Sequence, residues 1–159
     1  MCSLKNILPA KPLLLHSSLM EGRLTIQAFL DQIQSLRALV NQAAEEAGFP
    51  EDEQYATQLA VSEACENIII HGYGGENPSP IDMRVSSEPG VVQIDIWDEA
   101  EAFNPAQRPE EPDWSLDDPP VGGLGLIIIH RVMNDIQYIR EHDRNHLCMR
   151  KLASNRERD

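Results

Sequence analysis

The chain has 159 residues, which suits one domain and leaves too few for two substantial ones. Apolar residues make up 42% of it, a share that favours a packed core over a disordered chain. The formal charge of −13, from 26 acidic and 13 basic residues, disfavours direct binding to nucleic acid or to an anionic membrane.

The N-terminal third predicts an arm, a strand and an amphipathic helix. Residues 1–19 contain two prolines, and we expect them to form a loose arm before a domain that spans residues 20–152. The stretch LLLHSSLMEGRLT holds a candidate strand. From about Ile26 to Ala47, apolar residues recur at steps of three and four, which predicts a helix that stops at Gly48.

A second helix and a hairpin are predicted next. The helix runs from about Asp52 to His71 and leads into the glycine-rich turn HGYGGENPSP. PIDMRVSS and VVQIDIWD alternate apolar and polar residues as half-buried strands do, and EPG between them predicts the turn. Asp98 falls on the apolar face of the second strand, where a carboxylate is costly unless a polar group meets it.

The last third predicts a long irregular segment, a helix and two short strands. Residues 99–121 are rich in proline and acidic residues, and a loop of this length inside a domain is usually functional or mobile. GGLGLIIIHRVMNDI places glycines directly before an apolar helix. IQYIRE and HLCMRKL predict two strands joined by HDRN, and residues 153–159 are expected to be a frayed tail.

Targeting signals and metal-binding cysteine motifs are not apparent. No apolar run approaches the roughly 18 residues of a membrane span, and the N-terminus lacks the apolar region of a signal peptide. Cys2, Cys65 and Cys148 are far apart and match no metal-ligand spacing. We therefore expect a cytoplasmic protein with three reduced thiols, in which Cys65 is a small buried hydrophobe.

Glu63, Asn67 and His71 lie four residues apart along the second predicted helix. On a helical wheel they share one sector, and the other sides are apolar, so the helix is predicted to be buried. Such a row on its own is more often a polar network between core elements than a binding site. His71 is expected to brace the helix end and to have no direct chemical role.

Two further signals favour a nucleotide site. Asp98, at a strand end, can accept a hydrogen bond from the exocyclic amine of adenine, although a turn aspartate is the alternative. Gly122, Gly123 and Gly125 let the backbone approach an anion, to which the following helix offers unpaired N–H groups. This cluster is neither a Walker loop, since no Lys-Ser/Thr follows Gly125, nor a dinucleotide fingerprint, since no strand leads into it.

Three motifs in this order resemble one known superfamily over about residues 20–152. LAVSEACENIIIHGY is similar to its N box, WDEAEAFNP to its first glycine box and GGLGLIIIHRVMNDI to its second. The superfamily is the ATP-binding fold shared by gyrase, heat-shock chaperone ATPases, histidine kinases and mismatch-repair ATPases (GHKL). More narrowly, the chain resembles the anti-sigma factor serine/threonine kinases of bacterial partner switching.

The resemblance implies an α+β fold of the Bergerat type, a two-layer sandwich in which helices cover one face of a mixed, mostly antiparallel sheet. It implies ATP and Mg²⁺ as cofactors, with Asn67 as the Mg²⁺ ligand and Glu63 as the general base for a serine or threonine hydroxyl. Asp98 would read the adenine amine, and residues 104–121 would form a lid. The other implied ATP contacts are Ala100, Phe103, Gly122, Gly123, Leu124, Gly125 and Leu126.

The chain departs from the family pattern at two places. Ala100 and Ala102 replace the glycines of the first glycine box, and a methyl group at position 100 would crowd the adenine or oppose a positive φ. The final strand, NHLCMRK, lacks the threonine that many relatives place near the adenine.

Three functions fit these residues. The leading interpretation is a regulatory serine/threonine kinase that phosphorylates a small anti-anti-sigma (STAS) partner and sequesters a sigma factor or similar target. Family analogy adds a homodimer. The alternative is a non-catalytic, nucleotide-gated protein-binding module. A detached histidine-kinase catalytic domain ranks last, because no dimerising phosphoacceptor helix precedes the predicted domain.

Overall fold

The computed structural model describes residues 19–110 and 123–154. A 3-10 turn precedes α1 and a π-helical turn follows α2. In chain order, the strands and helices are β1 (Met20–Ala28), α1 (Ile33–Glu46), α2 (Glu51–Asn67), β2 (Asn77–Glu88), β3 (Val91–Asp98), α3 (Leu124–Val132), β4 (Asp135–Glu141) and β5 (Arg144–Leu152).

The five described strands form one sheet in the order β1-β2-β3-β5-β4, and every neighbouring pair is antiparallel. We predicted a mixed sheet, and that detail is wrong for the described strands. Two tight hairpins join β2 to β3 and β4 to β5, which makes those pairs antiparallel by construction. His142 and Asp143 adopt φ values of 53° and 59° in the second hairpin. A two-residue turn whose twist matches that of the flanking strands requires positive φ at both positions.

The helices pack on one face of this sheet and produce the predicted two-layer α+β sandwich. The inward side chains of β2 and β3 alternate along each strand, as the period-two pattern predicted, and they are 2% exposed or less. They are Ile81, Met83, Val85, Val92, Ile94 and Ile96. Leu36 and Val40 of α1 and Val61 and Cys65 of α2 meet them in one continuous core. Burying such side chains contributes about 1.5–3 kcal/mol each.

The first helix begins later than predicted. Ile26 and Ala28 are buried residues of β1, with the exposed Gln27 between them, and a 3-10 turn at Leu30–Gln32 precedes α1. The helical spacing that we read from Ile26 onward overlaps a period-two pattern in β1. In the pairing of β1 with β2, Ile26 lies opposite Ile81, and the backbone N–H and C=O groups gain hydrogen-bond partners. This pairing stabilises the strand over the predicted helix.

The end of α2 widens into a π-helical turn at Ile68–Gly72. The N–H of Tyr73 donates to the carbonyl oxygen of Ile68 at 2.8 Å, five residues back, so the turn holds one more residue than an α-helical turn. As a result Ile69 is buried, whereas His71 is exposed. The expectation that His71 continues a buried row is therefore wrong.

Cys65 and Cys148 are free and buried, while Cys2 lies outside the described residues. Burial raises the pKa of Cys65 to about 12, which keeps its thiol protonated near neutral pH. Within residues 19–110 and 123–154, no helix is long and apolar enough to cross a membrane.

Candidate nucleotide site

A cleft opens between the end of α2, the end of β3 and the start of β5. Asn67 and Gly72 form one wall, Asp98 and Ala100 form the floor, and Asn145 closes the far side. The N box and the first glycine box, which are separated by a whole hairpin in sequence, thus face the same space. Concave sites of this kind, with a few convergent polar groups in apolar walls, are where small ligands bind.

Asp98 is buried at the floor of the cleft, on the core side of β3 as predicted. It is 6% exposed, and its Oδ1 accepts hydrogen bonds from Asn145 Nδ2 and from the Ala100 N–H, both at 2.9 Å. Burial raises the pKa of Asp98 against the effect of these two hydrogen bonds. No described residue donates a hydrogen bond to Oδ2, so that oxygen is available to a ligand.

The first turn of α3 lies directly on the polar pair of α2. A methyl group added at Gly125 would come within 2.6 Å of Oε2 of Glu63 and 3.6 Å of the Asn67 side-chain amide. Any residue larger than glycine would therefore displace the Glu63 side chain or shift α3 away from α2. Gly123, with φ of 76°, is the N-cap residue of α3, in a conformation that glycine adopts without steric cost.

Glu63 is half-buried, and its environment favours the protonated carboxyl. Burial raises its pKa, and the negative charge of Glu66 raises it further. A carboxylate whose pKa moves up toward neutrality becomes a better proton acceptor in general-base catalysis. The electrostatics of the site thus suit the role that we predicted for this residue.

The donor set of the cleft fits a shared magnesium ion. The Asn67 side chain lines the cleft and makes no hydrogen bond to another described residue, so its carbonyl oxygen is free to coordinate. Within residues 19–110 and 123–154, no cluster of three His, Cys, Asp or Glu side chains could hold a metal alone. A single amide oxygen is compatible with Mg²⁺, which usually takes one or two protein oxygens together with substrate phosphates and water.

Ala100 fits the cleft without the backbone strain that we expected. Among the described non-glycine residues only His142 and Asp143 have positive φ, so Ala100 does not need the conformation that glycine favours. Its methyl group is buried, and a Cβ at Gly72 would lie 2.9 Å from it. Gly72, in the π-helical turn, therefore provides the space for the Ala100 side chain.

Gly72 and Ala100 should behave as an energetically coupled pair. Gly72→Ala is expected to lower the free energy of unfolding by about 1–3 kcal/mol, because the two methyl groups would overpack. Ala100→Gly should cost about 1 kcal/mol through the lost buried methyl and the added chain entropy. In the Ala100→Gly background, the Gly72→Ala change should cost little. Urea unfolding of all four proteins measures the coupling, and simple additivity would contradict this packing account.

Of the other predicted contacts, Phe103 lines the cleft, whereas Leu124 and Leu126 of α3 do not. Phe103 is 45% exposed, Leu124 is 40% exposed at the start of α3, and Leu126 packs against the core. Gly122 and residues 111–121 of the predicted lid lie outside the described residues. At the start of that segment, His130 Nε2 on α3 donates to the Pro105 carbonyl oxygen at 2.8 Å, which ties residue 105 to the second glycine-box helix.

Sequence reasoning missed several residues that shape the site. Asn145 lies opposite Asp98 in the β3–β5 pairing, on the strand that lacks the expected threonine. The Tyr73 hydroxyl donates to the Pro80 carbonyl oxygen at 2.7 Å and accepts from the Glu99 N–H at 2.9 Å, which anchors the chain after β3. The only available signal for Asn145 was its place on the final strand, because cross-strand register cannot be read from composition.

Residues 26–151 match the family described as Histidine kinase-like ATPase domain. The chain belongs to this family. The matched range includes all three motifs and every described element from the end of β1 almost to the end of β5. A histidine kinase-like ATPase domain implies the use of ATP.

Curated relatives of this ATPase-domain chain carry kinase and anti-sigma names. The serine-protein kinase RsbW of Bacillus subtilis (strain 168) is 26% identical over 121 residues, which cover 73% of this chain and 75% of the relative. The anti-sigma F factor of Halalkalibacterium halodurans is 28% identical over 92 residues, which cover 57% of this chain and 62% of the relative.

A solved structure confirms the predicted fold. The crystal structure of the RsbU and RsbW domains of Rv1364c from Mycobacterium tuberculosis matches with a TM-score of 0.59 and 16% identity over 87% of this chain. The match spans only 34% of that longer chain. At 16% identity the similarity supports the fold alone, and it agrees with the α+β sandwich of the GHKL type.

Proposed function

We propose that this chain is an ATP-dependent protein serine/threonine kinase of the anti-sigma type. The observation that carries the proposal is the contact of Gly125 with Glu63 and Asn67, at a cleft whose floor holds Asp98. The candidate base and the candidate metal ligand thereby lie against the start of α3, and the metal ligand lines the same cleft as the candidate adenine reader. The names of the relatives, serine-protein kinase and anti-sigma factor, support the same class.

The proposed roles follow from the chemistry of the groups. Asp98 Oδ2 accepts a hydrogen bond from the adenine amine, which orients ATP with its phosphates toward α3. The backbone N–H groups and positive dipole end of α3, opened by Gly123, then face the phosphate oxygens. Asn67 would hold Mg²⁺ through its carbonyl oxygen, and that ion supplies charge neutralisation for the phosphates when it is bound.

Glu63 is the proposed proton acceptor for the transfer step. The serine or threonine oxygen of the partner attacks the γ-phosphorus, the bond to the β–γ bridging oxygen breaks, and ADP leaves. The hydroxyl proton passes to the Glu63 carboxylate, whose raised pKa suits it to that task. The rest of catalysis in phosphoryl transfer is positioning and charge stabilisation, which the two helices supply.

We also propose the biological setting. The partner that receives the phosphate is a small anti-anti-sigma (STAS) protein, and the sequestered target is a sigma factor or an analogous protein. In this proposal the protein acts in the cytoplasm as a homodimer. Residues 20–152 form the ATP-binding kinase domain, and residues 104–121 form its lid. The similarity to an anti-sigma F factor supports the sigma-factor part of this proposal.

A transfer assay tests the proposed kinase. Purified protein is incubated with γ-labelled ATP, Mg²⁺ and a candidate partner encoded beside its gene, and the partner is analysed for phosphoserine and phosphothreonine. The kinase proposal predicts a labelled hydroxyl residue. Binding of ATP without any transfer would favour the nucleotide-gated module. One ground for that alternative was a positive φ at position 100, which Ala100 does not adopt.

Glu66 offers a test of how the candidate base is tuned. Its negative charge raises the pKa of Glu63, so Glu66→Gln should lower that pKa. Because Glu63 must be deprotonated to act, the transfer rate falls as the pH drops through its pKa. The acid limb of the pH–rate profile should therefore move to lower pH in Glu66→Gln, with activity retained at neutral pH. An unmoved or upward-shifted limb would contradict this assignment.

A further inference from the structure

Asn145 joins the floor of the cleft to the outer strands. Its Nδ2 lies 2.9 Å from Asp98 Oδ1, 3.0 Å from the Ala100 carbonyl oxygen and 3.1 Å from the Glu101 carbonyl oxygen. The side chain is 5% exposed, so water does not compete strongly for these contacts. One amide group therefore holds both the carboxylate at the end of β3 and the two peptide groups that follow it.

The other end of the Asn145 amide is equally occupied. Its Oδ1 accepts hydrogen bonds from the Tyr138 hydroxyl at 2.6 Å and from Arg140 NH1 at 2.8 Å. Arg140 NH1 also donates to the Ala100 carbonyl oxygen at 3.0 Å. A primary amide offers two N–H donors and two acceptor lone pairs. Asn145 shares its two N–H donors among three protein oxygens and accepts from Tyr138 and Arg140, so it has no group left for a base.

These hydrogen bonds also determine which oxygen of Asp98 remains without a donor among the described residues. Both protein donors, Asn145 Nδ2 and the Ala100 N–H, bind Oδ1. Rotation of the carboxylate would break these two hydrogen bonds in a buried site, where an unpaired acceptor is costly. Oδ2 is thereby held in one direction, free of described donors, on the wall of the cleft.

We propose that Asn145 is a positioning residue for base recognition: it locks the Asp98 carboxylate so that Oδ2 faces the 6-amino group of adenine. It acts through Asp98 and does not contact the nucleotide. The proposal rests on the proposed function, since it needs ATP in this cleft. It adds the prediction that discrimination for the amino group depends on a residue that never touches it.

Asn145→Asp is the sharpest test. The replacement keeps an acceptor oxygen for Tyr138 and Arg140 but puts an oxygen where Nδ2 donates to Asp98. Dissociation constants are measured for ATP and for purine riboside triphosphate, which lacks the 6-amino group, with circular dichroism as the folding control. The wild-type protein should prefer ATP by about 10-fold or more, the range expected for a hydrogen bond to a charged acceptor. In Asn145→Asp the preference should fall to within about threefold, while the affinity for the analogue changes by less than about threefold.

Each other outcome overturns a defined part of the account. Equal weakening of both nucleotides in Asn145→Asp would make Asn145 a structural residue only, and a preserved preference would exclude the positioning role. A wild-type protein that binds ATP without preferring it to the analogue would overturn the inference and leave the proposed kinase standing. A wild-type protein that binds neither nucleotide would overturn the proposed function as well. If Asn145→Asp fails to fold, Tyr138→Phe, which removes only one donor to Oδ1, should reduce the preference by about threefold, and an unchanged preference would count against the proposal.

Discussion

Glu63→Gln is expected to reduce phosphoryl transfer to the protein partner by about 10²- to 10⁴-fold, the usual contribution of a general base. ATP affinity should stay within about threefold, because the amide keeps the size of the carboxyl group beside Gly125. The change removes the proton acceptor and leaves the adenine end of the cleft, with Asp98, untouched. Single-turnover transfer and equilibrium ATP binding, measured on the same preparation, separate the two effects.

The matched control for this variant is Glu66→Gln. It makes the same chemical change one helical turn later, near the site but without contact to Gly125. Glu66→Gln should retain transfer at neutral pH. A Glu63→Gln protein that transfers phosphate at the wild-type rate would remove Glu63 from the mechanism. Equal loss of activity in both variants would indicate that the negative charge of α2, and not proton transfer to Glu63, supports the reaction.

Gly125→Ala is expected to weaken ATP binding by about 5- to 150-fold, which corresponds to about 1–3 kcal/mol of overpacking. The added methyl group would meet Oε2 of Glu63 at 2.6 Å, so α3 must move away from α2 or Glu63 must leave its place. A shift of α3 separates the helix N-terminus, where the phosphates are proposed to bind, from Asn67. If Glu63 moves instead, the methyl group still lies 3.6 Å from the side-chain amide of Asn67, the proposed Mg²⁺ ligand. Calorimetric titration with ATP measures the loss.

A rescue variant distinguishes this steric cause from a general effect of the substitution. Glu63→Ala removes the carboxyl group that the new methyl group would meet. The double variant Glu63→Ala/Gly125→Ala should therefore recover ATP affinity relative to Gly125→Ala alone, while transfer stays abolished because the base is missing. Wild-type ATP affinity in the Gly125→Ala single variant would show that the two helices do not need this close approach.

Local patterns in the sequence predict much of the fold. The β2–β3 hairpin and the inward position of Asp98 follow from period-two alternation, since successive strand residues face opposite sides. The helix at α2 follows from its apolar sides, and the opening of α3 at Gly123 follows from the glycine-rich motif. These features depend on near neighbours in the chain, which sequence patterns report directly.

Features that depend on tertiary packing could not be predicted in the same way. The π-helical turn, which exposes His71, has no local signal, and it removes His71 from the predicted row while Glu63 and Asn67 stay on α2. The fit of Ala100 depends on Gly72, twenty-eight residues earlier, so position 100 alone suggested strain. The role of Asn145 depends on the register between β3 and β5. A single residue of slip would turn it to the other face of the sheet.

Calorimetric titration of the wild-type protein shows whether the cleft over Asp98 binds ATP with magnesium. We expect binding of one ATP per chain, tighter with Mg²⁺ than without, and much weaker binding of GTP, which presents a carbonyl oxygen instead of an amine to the Asp98 carboxylate. Equal affinity for ATP and GTP, or no binding of ATP in the presence of Mg²⁺, would contradict this expectation.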